Sequence, residues 1–290
     1  MGIVSIGALL FARGVTLDSH QHFWRYDAAQ YPWIQKGSPL HRDWLPADLA
    51  PLLAEAGVSG CIAVQARQNF EESRWLLSLA RDAAIIKGVV GWVDLRGESV
   101  GRELAELARD PKFRGVRHVV QDEADPVFMQ GREFQRGIGA LHQFGLVYDI
   151  LVTAQQIPSA LKLAQAFPDL PFVLDHAGKP RIKAAVVEPW RFDVRELAKC
   201  ANVFCKVSGL VTEADHAKWQ PADLRRYLDV IFAAFGEDRV MFGSDWPVCL
   251  LAGEYPRVVN VVREYAAQFS AEAQAKLFGG NAARFYGITD

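Results

Sequence analysis

Short apolar runs rich in Val, Ile and Leu recur along this chain, separated by stretches in which apolar residues return every three or four positions. Eight runs stand out: Gly14–His22, Ser59–Gln65, Lys87–Asp94, Gly115–Val120, Leu146–Leu151, Pro171–His176, Val203–Ser208 and Arg239–Ser244. Near-continuous apolar runs of this length predict strands buried on both faces, as in a parallel sheet covered by helices. Between them, Asp48–Ala56 places Leu49, Leu52, Leu53 and Ala56 on one helical stripe and stops at Gly57, suited to the left-handed residue that ends a helix. Glu71–Ala84 and Gly101–Arg109 carry similar stripes, and Pro221–Phe235 opens on a proline and stops at Gly236. Alternating strands and helices predict an α/β fold, a (β/α)8 TIM barrel formed by residues 1–290 as a single domain. A doubly wound sheet is the rival, but no G-x-G-x-x-G follows the first run.

Two segments fall outside the alternation. Residues 1–14 are apolar but lack a basic start and a small-residue cleavage site, and Arg13 closes the run too early for a bilayer span; they read as a flexible lead-in. Residues 25–46 have no clear period and carry Tyr26, Tyr31, Trp33 and Trp44. A long loop after the first strand of a barrel lies over its catalytic face, so this segment is expected as a lid, a pocket wall or a packed cover.

Composition narrows the class of partner. Half of the 290 residues are hydrophobic, ample for a large core, and a net charge of −2 gives no reason to expect nucleic acid or an anionic membrane. A small molecule is the expected partner, and the oligomeric state is left open. The four cysteines form no C-x-x-C pair, which fits reduced thiols in a cytoplasmic protein.

In a barrel the C-terminal ends of all strands converge on one face, so the last residues of each run enumerate the candidate site. The first run ends in His20 and His22, two positions apart, which on a strand puts both imidazoles on one face. The others contribute Gln65, Trp92 and Asp94, Arg117 and His118, Tyr148 and Asp149, Asp175 and His176, Lys206, and Ser244 and Asp245. So many polar residues would be costly in a plain core. His20, His22, His176 and Asp245 make a suitable ligand set for one divalent ion, zinc being the expected one, with a position left for water.

The stretches Asp18-Ser19-His20-Gln21-His22-Phe23-Trp24, Asp175-His176-Ala177-Gly178-Lys179-Pro180 and Phe242-Gly243-Ser244-Asp245-Trp246-Pro247 resemble the amidohydrolase superfamily. Further likeness, through Tyr31-Pro32-Trp33, Gly115-Val116-Arg117-His118, Gln121-Asp122-Glu123 and Cys205-Lys206-Val207-Ser208-Gly209-Leu210, is to its sugar-lactone hydrolase branch, nearest the L-fuconolactone-hydrolysing members. The resemblance implies an amidohydrolase-like barrel that opens an aldonolactone to the free acid. It gives the strand 1 histidines a metal-binding role and makes Asp245 the residue that activates water. No His ends strand 5 and no Lys ends strand 4, so one ion is expected rather than two, and metal-free relatives leave metal-independent hydrolysis open. In that scheme Arg117, His118 and Lys206 bind substrate oxygens and stabilise the oxyanion, which places His118 beside Asp245 and His176 among the catalytic candidates. Gln65, Trp92, Tyr148 and Trp33 are the candidates for contacting the sugar. Two alternatives are a metal-dependent decarboxylase of an aromatic acid on the same fold and a non-catalytic carbohydrate-binding barrel.

Overall fold

The computed structural model describes residues 15–289, so the lead-in expected at 1–14 lies outside the described residues. Eight strands follow in order: β1 (Leu17–Gln21), β2 (Gly60–Val64), β3 (Ile86–Gly91), β4 (Phe113–His118), β5 (Val147–Ile150), β6 (Phe172–Leu174), β7 (Val203–Val207) and β8 (Val240–Phe242). Each overlaps one of the eight apolar runs. Neighbours in sequence are neighbours in the sheet and every pairing is parallel, β1 to β2 through β7 to β8. The seam between β8 and β1 is bridged just beyond the end of β8. There the Asp245 N–H donates to the His20 carbonyl (2.8 Å) and the His22 N–H to the Trp246 carbonyl (2.7 Å). Those bonds belong to the residues singled out for chemistry.

Helices α1 (Pro46–Glu55), α2 (Phe70–Asp82), α3 (Val100–Leu107), α4 (Arg132–Leu141), α5 (Ile157–Ala166), α6 (Trp190–Ala198), α7 (Pro221–Phe235) and α8 (Tyr255–Ala266) alternate with the strands or follow the last, and α9 (Ala271–Ala275) and α10 (Asn281–Tyr286) complete the chain. Local chemistry explains the boundaries. The Asn69 side chain accepts from the Glu71 and Glu72 N–H groups at the start of α2. Gly57 takes φ +64° after α1, the left-handed value its sequence position required.

The strand pleat divides the core into two layers. Outward-facing residues pack against the helices, whereas Leu17, Ile62, Val64, Val90, Val147, Val173 and Met241 form a separate inner cluster with Ala282, Phe285 and Tyr286 of α10. The C-terminal helix therefore plugs the inner apolar layer. Burying each large side chain there contributes about 1.5–3 kcal/mol. Towards the C-terminal ends of the strands polar side chains enter the barrel, and His20, Arg117, Asp149, Asp175 and Lys206 are all buried there.

Segment 25–46 folds as a packed cover. Trp24 and Trp44 pair antiparallel, Tyr31, Ile34 and Leu40 are buried, and the Arg42 guanidinium lies 3.5 Å over the Trp44 ring. Trp33 is the exception, 45% exposed. The four cysteines are free thiols, and no helix of the described residues is long and apolar enough to cross a membrane.

Candidate active site

Alternation along each strand decides which polar residue of a neighbouring pair enters the barrel. On β4, Arg117 points inward, its terminal nitrogen 3.2 Å from Asp175 Oδ2, while His118 points out to stack on Phe128 with ring centroids 5.0 Å apart. On β5, Asp149 points inward to Lys206, and Tyr148 points out between Phe134 and Phe172. The pairing register of β1 with β2 shifts between Asp18 and Gln21, and His20 and His22 then lie on one side, Nε2 to Nε2 at 3.2 Å.

Around this pair the distances are short. Asp245 Oδ1 lies 3.4 Å from His22 Nε2 and 3.8 Å from His20 Nε2, and the His20 and His176 rings meet edge to face at 4.5 Å. His22 Nδ1 is 2.9 Å from the Val64 carbonyl, an acceptor only, so that nitrogen carries the proton and Nε2 presents its lone pair. His176 Nδ1 pairs with Ser208 Oγ at 2.9 Å. His176 and Asp245 both occupy left-handed backbone, φ 52° and 60°, an uncommon conformation that costs of order 1–2 kcal/mol per residue. Strain of that kind persists where the surroundings over-determine the geometry.

A cavity of about 430 Å³ opens above these groups. His22, His176, Asp245 and Arg117 reach it from below, and Trp33, Arg67, Gln121 and Lys179 stand in its walls. Burial by itself would raise the Asp245 pKa, but His176, His22 and His20 outweigh it and hold the carboxyl well below its ordinary range. Burial drives His176 down to about 4. The site thus sets an ionised carboxylate beside the His20 and His176 imidazoles, whose burial disfavours their charged form.

Beneath His20 lies a buried ionic cluster. The Lys206 ammonium is 2.5 Å from Asp149, 3.0 Å from Asp175 and 3.1 Å from His20 Nδ1, with all four side chains fully buried. Tyr286 of α10 donates its hydroxyl to Asp149 from below, at 2.9 Å. Two carboxylates balance Lys206 and Arg117, as buried charges require.

The profile of the amidohydrolase family matches residues 17–288. The chain belongs to the amidohydrolase family. An L-fucono-1,5-lactonase from Burkholderia multivorans is 45% identical over 94% of this chain and 96% of its own length, and one from Burkholderia ambifaria is 39% identical over 94% and 95%. An amidohydrolase from Burkholderia multivorans, solved with zinc bound, superposes with a TM-score of 0.92 at 45% identity, covering 95% of this chain and all of its own.

Within this amidohydrolase, His20, His176 and Asp245 bring donor atoms within 4.8 Å of one another, a set of imidazole nitrogens and carboxylate oxygen that suits a divalent ion. A second group, His20, Asp149 and Asp175, is equally close, but Lys206 already stands among them.

Several sequence-derived candidates are placed away from the cavity. Lys206 and Tyr148 are fully buried, one in the ionic cluster and one among aromatics, and neither lines the cavity. Gln65 is fully buried and donates to the Arg117 carbonyl, holding β2 to β4. His118 has both nitrogens committed, Nδ1 accepting from Trp92 Nε1 at 3.3 Å and Nε2 at 2.7 Å from Glu123, which occupies Trp92 as well. None of these five is among the residues that line the cavity. Conversely, Arg67 and Lys179 in the cavity wall and Asp149 and Asp175 under His20 had been given no role. The strand period would have picked out Asp149, two residues after Val147 of the inner layer.

Proposed function

We propose that this amidohydrolase hydrolyses L-fucono-1,5-lactone or a closely related sugar lactone to the open aldonic acid, with Asp245 as the base. The observation that supports this best is Asp245 itself, a carboxylate kept ionised among three histidines at the floor of a sugar-sized cavity, in a chain closely similar to two L-fucono-1,5-lactonases.

Water held against Asp245 gives its proton to the carboxylate while attacking the lactone carbonyl. The same carboxyl then returns the proton to the ring oxygen as the carbon–oxygen bond breaks. Arg117, buried beside His20 and held by Asp175, supplies a fixed cation for the oxygen that becomes negative. His22, with its proton fixed on Nδ1 by Val64, keeps Asp245 oriented. Trp33 offers an aromatic face to the sugar ring, and Arg67, Gln121 and Lys179 offer donors to its hydroxyls and to the new carboxylate. A single divalent ion, zinc the expected one, held by His20, His176 and Asp245 with His22 alongside, would polarise the carbonyl or acidify the water.

The test is proton release from L-fucono-, L-galactono-, L-rhamnono- and D-arabinono-lactones, with and without a chelator. Acid release with L-fuconolactone preferred supports the proposal, and the chelator arm reports on the ion. A decarboxylase would instead take up a proton with an aromatic acid, and binding without turnover would leave a carbohydrate-binding barrel.

A further inference from the structure

One acidic side chain outside the floor of the cavity is fully buried and fully engaged. Glu72, in the first turn of α2, accepts from the Tyr31 hydroxyl through Oε1 at 3.0 Å and from the Ala66 and Arg67 N–H groups through Oε2, each at 3.0 Å. The Arg67 Nε stands 3.5 Å from Oε1, and its guanidinium carbon lies 5.4 Å from the Tyr31 ring centre. Three separate segments therefore meet on one carboxylate: the aromatic cover, the loop after β2 and helix α2.

Each of these contacts leads to the cavity. Ala66 and Arg67 line it directly, and so does the next residue, Gln68, whose side chain accepts from the Val119 N–H at 2.9 Å. On the other side, Tyr31 lies against Trp24, with ring centroids 6.0 Å apart, and Trp24 meets the cavity-lining Trp33 edge to face at 5.6 Å. A helix-stabilising role for Glu72 would need only the α2 N-terminus, where an acidic residue in the first turn is already favourable. Reaching back to two loop amides and across to a tyrosine of another segment is more than that role requires.

We infer that Glu72 is a positioning residue for substrate binding, a latch that holds the β2–α2 loop and the aromatic cover together so that Arg67 and Trp33 both stay in the lining of the same cavity. It touches no reacting atom. Its effect falls on ground-state and transition-state binding alike, which raises KM and leaves kcat nearly alone when the latch is removed. The inference rests on the lactonase reading only for the identity of the substrate whose KM is measured.

Glu72→Met keeps the volume and removes every acceptor, and Tyr31→Phe removes a single hydroxyl. Kinetics on L-fucono-1,5-lactone are expected to show KM raised at least about fivefold in Glu72→Met and less in Tyr31→Phe, with kcat within about twofold of wild type. Hydrogen exchange of the Ala66 and Arg67 amides is expected to quicken at least about tenfold in Glu72→Met. In the double variant the KM should be no worse than in Glu72→Met alone, because the tyrosine acts through the carboxylate. Unchanged KM with unchanged exchange overturns the latch, as does a fall in kcat at constant KM. If Glu72→Met does not fold, Tyr31→Phe decides: a raised KM at unchanged kcat supports the latch, and an unchanged KM overturns it. A wild-type protein inert towards every lactone refutes the proposed substrate instead, and the exchange measurement then judges the latch.

Discussion

His20 and His22 present their Nε2 atoms to each other at 3.2 Å, and the Val64 carbonyl fixes the His22 proton on the far side of its ring. Two lone pairs at that distance repel, so a proton on one of the two nitrogens or a bound cation would relieve the contact, and Arg117, a donor only, competes for His20 Nε2 from 3.2 Å. On the opposite edge, His20 Nδ1 has Lys206 at 3.1 Å as a donor and Asp175 at 3.3 Å as an acceptor, so either tautomer finds a partner there. The expected outcome is that the purified protein takes up no more than one equivalent of Zn²⁺, read by elemental analysis after dialysis. His176→Asn should weaken that uptake about tenfold or more, since one of three donors is lost. A second equivalent in the wild type would contradict the placement of Lys206 in the other donor group.

Asp245→Asn tests the base. The amide keeps the shape and cannot accept the proton, so kcat should fall by about 10²–10⁴, the usual worth of a positioned general base. Thermal unfolding should shift downward, because the surrounding histidines favour the ionised carboxylate in the folded protein and the amide gives up that interaction. A variant within tenfold of wild-type kcat would exclude Asp245 from proton transfer.

Lys206→Met tests the ionic cluster. The substitution is close in volume but leaves Asp149 and Asp175 without the cation they share. Removing one partner of a buried pair typically destabilises by about 3–5 kcal/mol, to be read from denaturant unfolding. Since Lys206 lies below the cavity, KM should move little in whatever folded protein remains. A large KM effect with intact stability would restore it to the substrate-binding role its strand-end position had suggested.

The fold was legible because a parallel barrel buries its strands on both faces, and each of the eight runs carried that signature from Leu17 to Phe242. That His20 and His22 share a side was legible because Leu17–His22 reads as a strand, which puts residues two apart on one face. What the strand-end reading could not separate was in from out. His118 and Tyr148 lie one residue from Arg117 and Asp149, and a one-residue step reverses the face. Apolar runs without alternation do not announce that phase. Lys206 shows the other limit: it does point inward, yet how deep an inward side chain sits depends on strand stagger. Glu72 was hidden for a third reason, because an acidic residue in the first turn of a helix is what any helix favours.

Glu72→Gln carries a pH signature. Burial, opposed by the Arg67 and Ala66 N–H groups and the Tyr31 hydroxyl, raises the Glu72 pKa from 4.5 to about 7. The folded protein then holds this proton more tightly than the unfolded chain, so its contribution to stability falls as pH rises from about 4.5 through 7. A shift of that size corresponds to roughly 3 kcal/mol. Urea unfolding at pH 5 and pH 8 should therefore show the glutamine variant gaining on the wild type at the higher pH, by up to that amount. Asp18, raised to about 6 by burial, has the same sign but is common to both proteins and cancels. A constant difference across the range would place Glu72 in a wetter setting than its contacts imply.

Gly209→Ala separates backbone strain from displacement of the site. Gly209 takes φ +61°, and a Cβ built there would lie 2.5 Å from His176 Nδ1 and 3.1 Å from Asp245 Oδ2. The methyl group would press on the ring and on its 2.9 Å contact with Ser208, so His176 must move. Gly57 has nearly the same backbone, φ +64°, but nothing within 4 Å of its Cβ position. Both substitutions carry the left-handed penalty of about 1–2 kcal/mol. Only Gly209→Ala should also cost activity, on the order of 10²-fold in kcat/KM, the scale expected when a catalytic group shifts by about an ångström. Equal stability losses with unequal activity would trace the effect to His176 and Asp245. If Gly57→Ala lost as much activity as Gly209→Ala, general destabilisation would be the cause, and the close approach of Gly209 to the site would have no catalytic meaning.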